Sequence, residues 1–270
     1  MRVAFHRPRT FATGPAGPET RTVEAHTETA RRARPSSRAT LQPQRPPRNA
    51  AEVWALVPLK DLSLGKTRLA GVLDAKARRG LALAMARDVT RALTRAGGVA
   101  RVVMVSDIPG LPGLLGLDDV SCFDTGGARG LNEDLSRAAE WAQAQGAGQV
   151  LIVHADLPHL TAAGIDRFIA AATSPRRLRA AADKEGSGTN LLLAPLPLPL
   201  PLVFGSRSLP RFHHAAMEAG IGLEVRHDPA LAGDIDEAED LNRLMATYRR
   251  GYLAGRATAA WLAATLEVRA

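Results

Sequence analysis

With 270 residues, 46% of them hydrophobic and 23% charged, the chain can hold one large globular domain or two small ones. No apolar run approaches the ~20 residues a membrane-crossing helix needs, and a single cysteine, Cys122, excludes an intrachain disulfide and a cysteine-based zinc cluster. The net charge of +8 suggests nucleic acid, yet residues 1–49 carry ten Arg, no Lys and three Glu, so +7 of it lies in that stretch.

Residues 1–50 combine Arg and Pro with few large apolar residues and no period, the composition of a disordered tail. The tail lacks the apolar centre of a secretory signal, and its prolines near 43–47 oppose an amphipathic transit helix. An extension from a mis-assigned start codon is an equal reading. Residues 51–270 are expected to form a single domain in the cytoplasm, with no membrane contact and no specific nucleic-acid partner. A homodimer is one option for its assembly.

From Val53 the pattern changes. Val53-Trp54-Ala55-Leu56-Val57-Pro58 reads as a buried strand. A helix follows over about Ala75 to Ala96, with Leu81, Met85, Val89 and Leu93 on one face. Val102 to Ser106 is a second buried strand, Leu131 to Gln145 a helix, and Val150 to Val153 a third strand. Thr161 can cap a helix presenting Ile165, Phe168 and Ile169. Short apolar strands alternating with amphipathic helices predict an α/β fold: a three-layer sandwich around a central mixed, mostly parallel sheet.

Beyond Ala180 the rhythm differs. Asn190 to Ala194 and Leu202-Val203-Phe204 read as short strands around the Leu-Pro stretch from Pro195 to Pro201, which is expected to be a surface loop. A helix near Arg211 to Ala219, a strand at Leu223 to Arg226 and a helical region from Glu237 onward complete the chain.

Ligands of such sheets gather beyond the carboxyl ends of the parallel strands. Three positions there carry charge: Lys60 after the first strand, Asp107 after the second and Asp156 after the third. Gly65-Lys66-Thr67 invites a phosphate-loop reading, but Lys60 stands where that motif needs a glycine. What remains is a cationic group, Lys60, Lys66 and Arg68, suited to a triphosphate or simply solvated.

Asp234 and Asp236 carry the most information. In an extended segment their side chains share a face, and two carboxylates so close repel unless a cation joins them. Mg²⁺ suits that arrangement. The competing reading makes Asp236 a helix N-cap, with Asp236 and Glu239 at capping-box spacing. Asp183-Lys184-Glu185-Gly186-Ser187-Gly188-Thr189-Asn190 and Phe204-Gly205-Ser206-Arg207-Ser208 are polar loops able to offer N–H groups to an anion, or plain turns.

In order, Val57-Pro58-Leu59-Lys60, Gly65-Lys66-Thr67-Arg68-Leu69-Ala70, Gly130-Leu131-Asn132, Ala155-Asp156-Leu157-Pro158, Asp183 with Gly186 and Gly188-Thr189-Asn190, Phe204-Gly205 with Ser208 and His213, and Asp234-Ile235-Asp236 with Asp240-Leu241 resemble the 2-phospho-L-lactate guanylyltransferase family of coenzyme F-420 biosynthesis. The resemblance spans about Val53 to Leu244. It implies a GT-A-type nucleotidyltransferase fold and transfer of GMP from GTP to a small phosphorylated carboxylic acid: 2-phospho-L-lactate, phosphoenolpyruvate or 3-phospho-D-glycerate. By position it assigns Mg²⁺ to Asp156, Asp234 and Asp236, and the acid to Thr189, Gly205 and Ser208. It sets Pro58, Lys60, Lys66 and Asn132 at the nucleotide, with Lys60, Lys66 and Arg68 facing the triphosphate. His159, Leu209 and Glu237 depart from the family pattern. Two rivals stand beside this reading. A same-fold enzyme for a sugar phosphate or pterin cofactor would carry a Gly-rich loop after the first strand, which Pro58 to Leu64 lacks. A non-catalytic nucleic-acid binder would depend on the Arg tail.

Overall fold

The computed structural model describes residues 52–60, 66–117, 120–127, 129–171 and 177–267. The tail expected over 1–50 lies outside them.

Seven strands form one sheet in the order β3-β2-β1-β4-β6-β5-β7. They are β1 (Val53–Pro58), β2 (Arg101–Ser106), β3 (Ser121–Asp124), β4 (Gln149–Val153), β5 (Leu178–Ala182), β6 (Thr189–Pro195) and β7 (Leu223–Arg226). The first four run parallel, β6 runs antiparallel between β4 and β5, and β7 pairs parallel with β5. Helices α1 (Ala75–Arg95), α2 (Leu111–Leu114), α3 (Leu131–Ala144), α4 (Ala162–Ala170), α5 (Ser208–Glu218), α6 (Ala238–Arg249) and α7 (Arg256–Glu267) complete the described elements.

Alternation along the strands builds two cores. Val53, Ala55 and Val57 of β1 face the layer of α1 and α4, packing with Val89, Leu93, Ile165 and Phe168. Trp54 and Leu56 face the opposite layer, against Leu135, Ala139 and Phe212 of α3 and α5. A third cluster joins Leu81 and Met85 of α1 to Leu241 and Leu244 of α6 and Leu262 of α7. The sandwich and its mixed, mostly parallel sheet are as expected. The expected cap of α4 holds, Thr161 accepting from the Gly164 N–H, and Asp74 caps α1 in the same way by accepting from the Ala77 N–H.

Two expectations need correction, and two strands were not anticipated. Leu202-Val203-Phe204 is not a strand; the Phe204 N–H and carbonyl are taken by the Asn132 side-chain amide instead of a neighbouring strand. β5 lies in Leu-Arg-Ala-Ala-Ala, which has no strand signature, because Arg179 hides a charge in the sheet. Its guanidinium donates to the Phe168 and Ala171 carbonyls and pairs with Glu224. β3, an edge strand of alternating burial, gives too short a pattern to read. Lastly, the N-cap of α6 is Glu237, not Asp236. The Asp240 carboxylate accepts from the backbone N–H groups of both Asp236 and Glu237, which leaves the Asp236 carboxylate free to face elsewhere.

Candidate active site

The strand ends place the charged residues. Leu59 N–H donates to the Val105 carbonyl, and Ser106 Oγ donates to the Leu59 carbonyl, so the chain leaves β1 pinned to β2. Lys60 then reaches Asp134 in the first turn of α3, whose side chain is buried. Lys66 begins a 3₁₀ turn, Thr67–Leu69, in a left-handed backbone conformation (φ 58°, ψ 40°). Its ammonium lies 2.5 Å from Asp156 Oδ2 and 2.8 Å from Asp236 Oδ1. Pro58, Lys60, Lys66, His154, Asp156 and Asp236 thus line one cleft of about 380 Å³.

These charges set one another's ionisation. Burial works against the Lys66 ammonium, but the Asp156 and Asp236 carboxylates outweigh it and hold its pKa above the usual lysine range. Burial likewise works against the Asp156 carboxylate, and Lys66 and His154 reverse that, keeping it ionised below the usual range. Burial holds His154 on the neutral side, packed at 5.5 Å against the Phe204 ring. His154 therefore sits as a packed imidazole under the site.

A second cleft, of about 900 Å³, opens on the other side of the Asp234-Ile235-Asp236 segment. It is lined by the turn Asp183–Gly186, by His159 and His227, and by Asp234, Asp240 and Arg243. Lys184 and Arg243 both reach Asp240 Oδ1, at 2.5 and 2.6 Å. Against the effect of burial, Lys184, the two backbone N–H groups and Arg243 hold Asp240 down to about 2. Within the turn, Asp183 accepts from the Ser187 N–H at 2.8 Å. A side chain at Gly188 would meet Asp183 Oδ2, 2.4 Å from its Cβ, and would have to displace that carboxylate.

The shared face expected for Asp234 and Asp236 is not found. Asp236 turns to Lys66 in the smaller cleft, while Asp234 lines the larger one, 3.5 Å from Asn190 Nδ2. They still sense each other. Burial, then Asp156 and Asp236, raise Asp234 to about 6 although Lys184 opposes them. Among the described residues no three acidic, histidine or cysteine side chains converge as a ready metal shell, since Lys66 stands between Asp156 and Asp236. The donor set nonetheless suits a hard divalent cation. It is all carboxylate oxygen, Asp156 Oδ1 is buried without a partner, and the repulsion felt by Asp234 is what a cation relieves.

The other named residues sit as follows. Arg68 is exposed and pairs with Glu237 at 3.0 Å. The Asn132 amide is committed to the Phe204 backbone, so it positions the loop at 204–208. Thr189 and Ser208 are each 2% exposed, and Gly205 has φ 120°. None of the three lines either cleft, although the Leu209 N–H bonds the Ser187 carbonyl and ties their two loops together. His213 and His214 are exposed on α5. Sequence reasoning missed Asp134, Lys184 as a paired group, and Asp240 as the anchor of two cations. Asp134 reads only as an acidic residue in a first helical turn. Asp240, four residues after Asp236, was legible as part of a motif but not as a buried acceptor.

A family model described as "Guanylyl transferase CofC like" matches residues 53–254. A phosphoenolpyruvate guanylyltransferase from Rubrobacter xylanophilus is 36% identical over 199 residues, 72% of this chain and 94% of that protein. One from Conexibacter woesei is 35% identical over 201 residues, 73% and 90% of the two chains. A solved nucleotidyl transferase from Methanothermobacter thermautotroptrophicus superposes with a TM-score of 0.55 at 18% identity, covering 75% of this chain and 100% of that one. A 4-diphosphocytidyl-2C-methyl-D-erythritol synthase gives 0.52 at 13% identity, over 73% and 99%. The structures support the fold. The matched span and the curated relatives establish the rest: this chain is a nucleotidyltransferase and belongs to the guanylyl transferase CofC-like family.

Proposed function

We propose that this protein moves GMP from GTP onto a small phosphorylated carboxylic acid with release of diphosphate, within coenzyme F-420 biosynthesis. Phosphoenolpyruvate is the first choice of acid, ahead of 2-phospho-L-lactate and 3-phospho-D-glycerate, because the relatives at about 35% identity carry that name. The observation that carries the reading is the cleft at the ends of β1 and β4, where Lys60 and Lys66 stand beside Asp156 and Asp236.

The acid's phosphate is its own nucleophile. A phosphate monoester has a second pKa near 6 and is mostly dianionic at neutral pH, so no general base is required. The difficulty is that one anion approaches another. Lys60 and Lys66 line the cleft beside the expected leaving diphosphate, where their charge stabilises the developing negative charge. Arg68 reaches it only by leaving Glu237. Asp156, Asp234 and Asp236 are the residues that would hold Mg²⁺. When bound, the ion screens phosphate from phosphate and polarises the transferred group. Thr189, Gly205 and Ser208 are the residues we assign to the acid's carboxylate.

The test is diphosphate release with Mg²⁺, crossing four nucleoside triphosphates with the three acids. GTP with phosphoenolpyruvate is expected to be fastest, and a chain lacking residues 1–50 to keep that rate. Silence in every combination defeats the reading.

A further inference from the structure

Lys66 is held unusually firmly for a lysine. Its left-handed backbone is a conformation that non-glycine residues keep only where the surroundings fix it. Its side chain is 9% exposed and its ammonium is shared between carboxylates on two separate segments, at 2.5 and 2.8 Å. A second pair, Arg68 to Glu237, joins the Lys66 segment to the Asp236 segment one step further along. The ammonium brings one positive charge to a place where Asp156, Asp236 and nearby Asp234 bring up to three negative ones. One oxygen of Asp156 is left buried and without a partner.

We propose that Lys66 is a built-in competitor for the divalent cation: its ammonium fills the gap between Asp156 and Asp236 in the free protein, and a cation enters as the lysine leaves for the nucleotide's triphosphate. The proposal rests on the guanylyltransferase reading above. Its physical basis is that neighbouring carboxylates left without a counter-charge repel one another, the more so at the partly buried Asp156. An internal ammonium removes that cost before ligands arrive. It also weakens the cation's own binding, because a divalent ion must first break two short ion pairs. By reciprocity, whatever draws Lys66 away strengthens cation binding by the same factor. Cation and nucleotide therefore bind as a coupled pair, and the free protein holds the cation loosely.

Mn²⁺ titration of the full chain without nucleotide, read by electron paramagnetic resonance, tests this directly. Lys66→Met is expected to bind Mn²⁺ on the order of tenfold more tightly than the unaltered protein, an ordinary size for coupling between ligands of one site. Lys66→Arg keeps the charge and is expected to stay weak. Lys60→Met removes a cation from the same cleft that does not stand between the carboxylates, and is expected to shift affinity by less than about threefold, as a screened field effect. A second measurement uses the unaltered protein alone. Acylation of Lys66, followed by mass spectrometry, is expected to rise as Mn²⁺ saturates, because the ammonium is pushed into solvent. Equal Mn²⁺ affinity for unaltered and Lys66→Met protein overturns the proposal and leaves guanylyl transfer standing. So does Lys66 acylation that stays flat at Mn²⁺ saturation. Absence of Mn²⁺ binding in all variants, with or without GTP, overturns the metal assignment and the proposal together.

Discussion

Two lysine–carboxylate clusters flank the Asp234-Ile235-Asp236 segment, built from the same residue types but balanced in opposite ways. Around Lys66, one buried ammonium serves Asp156 and Asp236, and Asp234 is pushed up to about 6 by its burial first and then by Asp156 and Asp236. Around Asp240, one buried carboxylate takes Lys184, Arg243 and two backbone N–H groups. At Asp156 one oxygen is left without a partner, whereas both oxygens of Asp240 are taken. Spare negative charge attracts a cation and, with it, a polyphosphate. A saturated carboxylate attracts nothing further and instead fixes the backbone that presents Asp236.

The largest effect that separates the two is on turnover. Asp236→Ala is expected to slow guanylyl transfer by about 10²-fold or more, the scale of losing a key electrostatic group, measured as diphosphate release at saturating Mg²⁺. Near-normal turnover would erase the distinction between the clusters. Asp240→Asn should act on stability first, costing about 2 kcal/mol for weakening a buried acceptor of charge-assisted hydrogen bonds whose cations are themselves partly solvated, read from denaturant unfolding. An unchanged midpoint there would mean that the second cluster holds nothing in place.

The pH dependence sharpens the same contrast. The folded-state pKa of Asp240 is lowered to about 2 from an ordinary 3.8. Its contribution is therefore fully present above about pH 4 and is lost as pH falls towards 2, because the unfolded state takes up the proton first. Unfolding midpoints of the unaltered protein should fall more steeply through that window than those of Asp240→Asn. The smallest effect is expected at the exposed pair. Arg68→Ala should change stability by about 0.5 kcal/mol or less, and a larger loss would show that the tie between the two segments is structural.

Much of this was legible in the chain. Leu81, Met85, Val89 and Leu93 recur at helical spacing, and that face of α1 is buried. The strand ends at Pro58 and Val153 gave the positions from which Lys60 and Asp156 enter the cleft. Illegible were features whose meaning depends on a distant partner. Arg179 looks like a surface residue until the carbonyls at the end of α4 are set beside it. Phe204 looks like a strand residue until Asn132, 72 positions away, takes its backbone groups. Asp236 reads like a cap, but Glu237 takes that place.

The sequence by itself determined the layers, the identity of the charged strand ends and the family, because hydrophobic period and ordered motifs are local properties of the chain. The tertiary structure decided which charge meets which. Lys66 lies 90 residues from Asp156 and 170 from Asp236. An ion pair across such a span depends on where strand ends and loops converge, and no local pattern in the chain encodes that convergence.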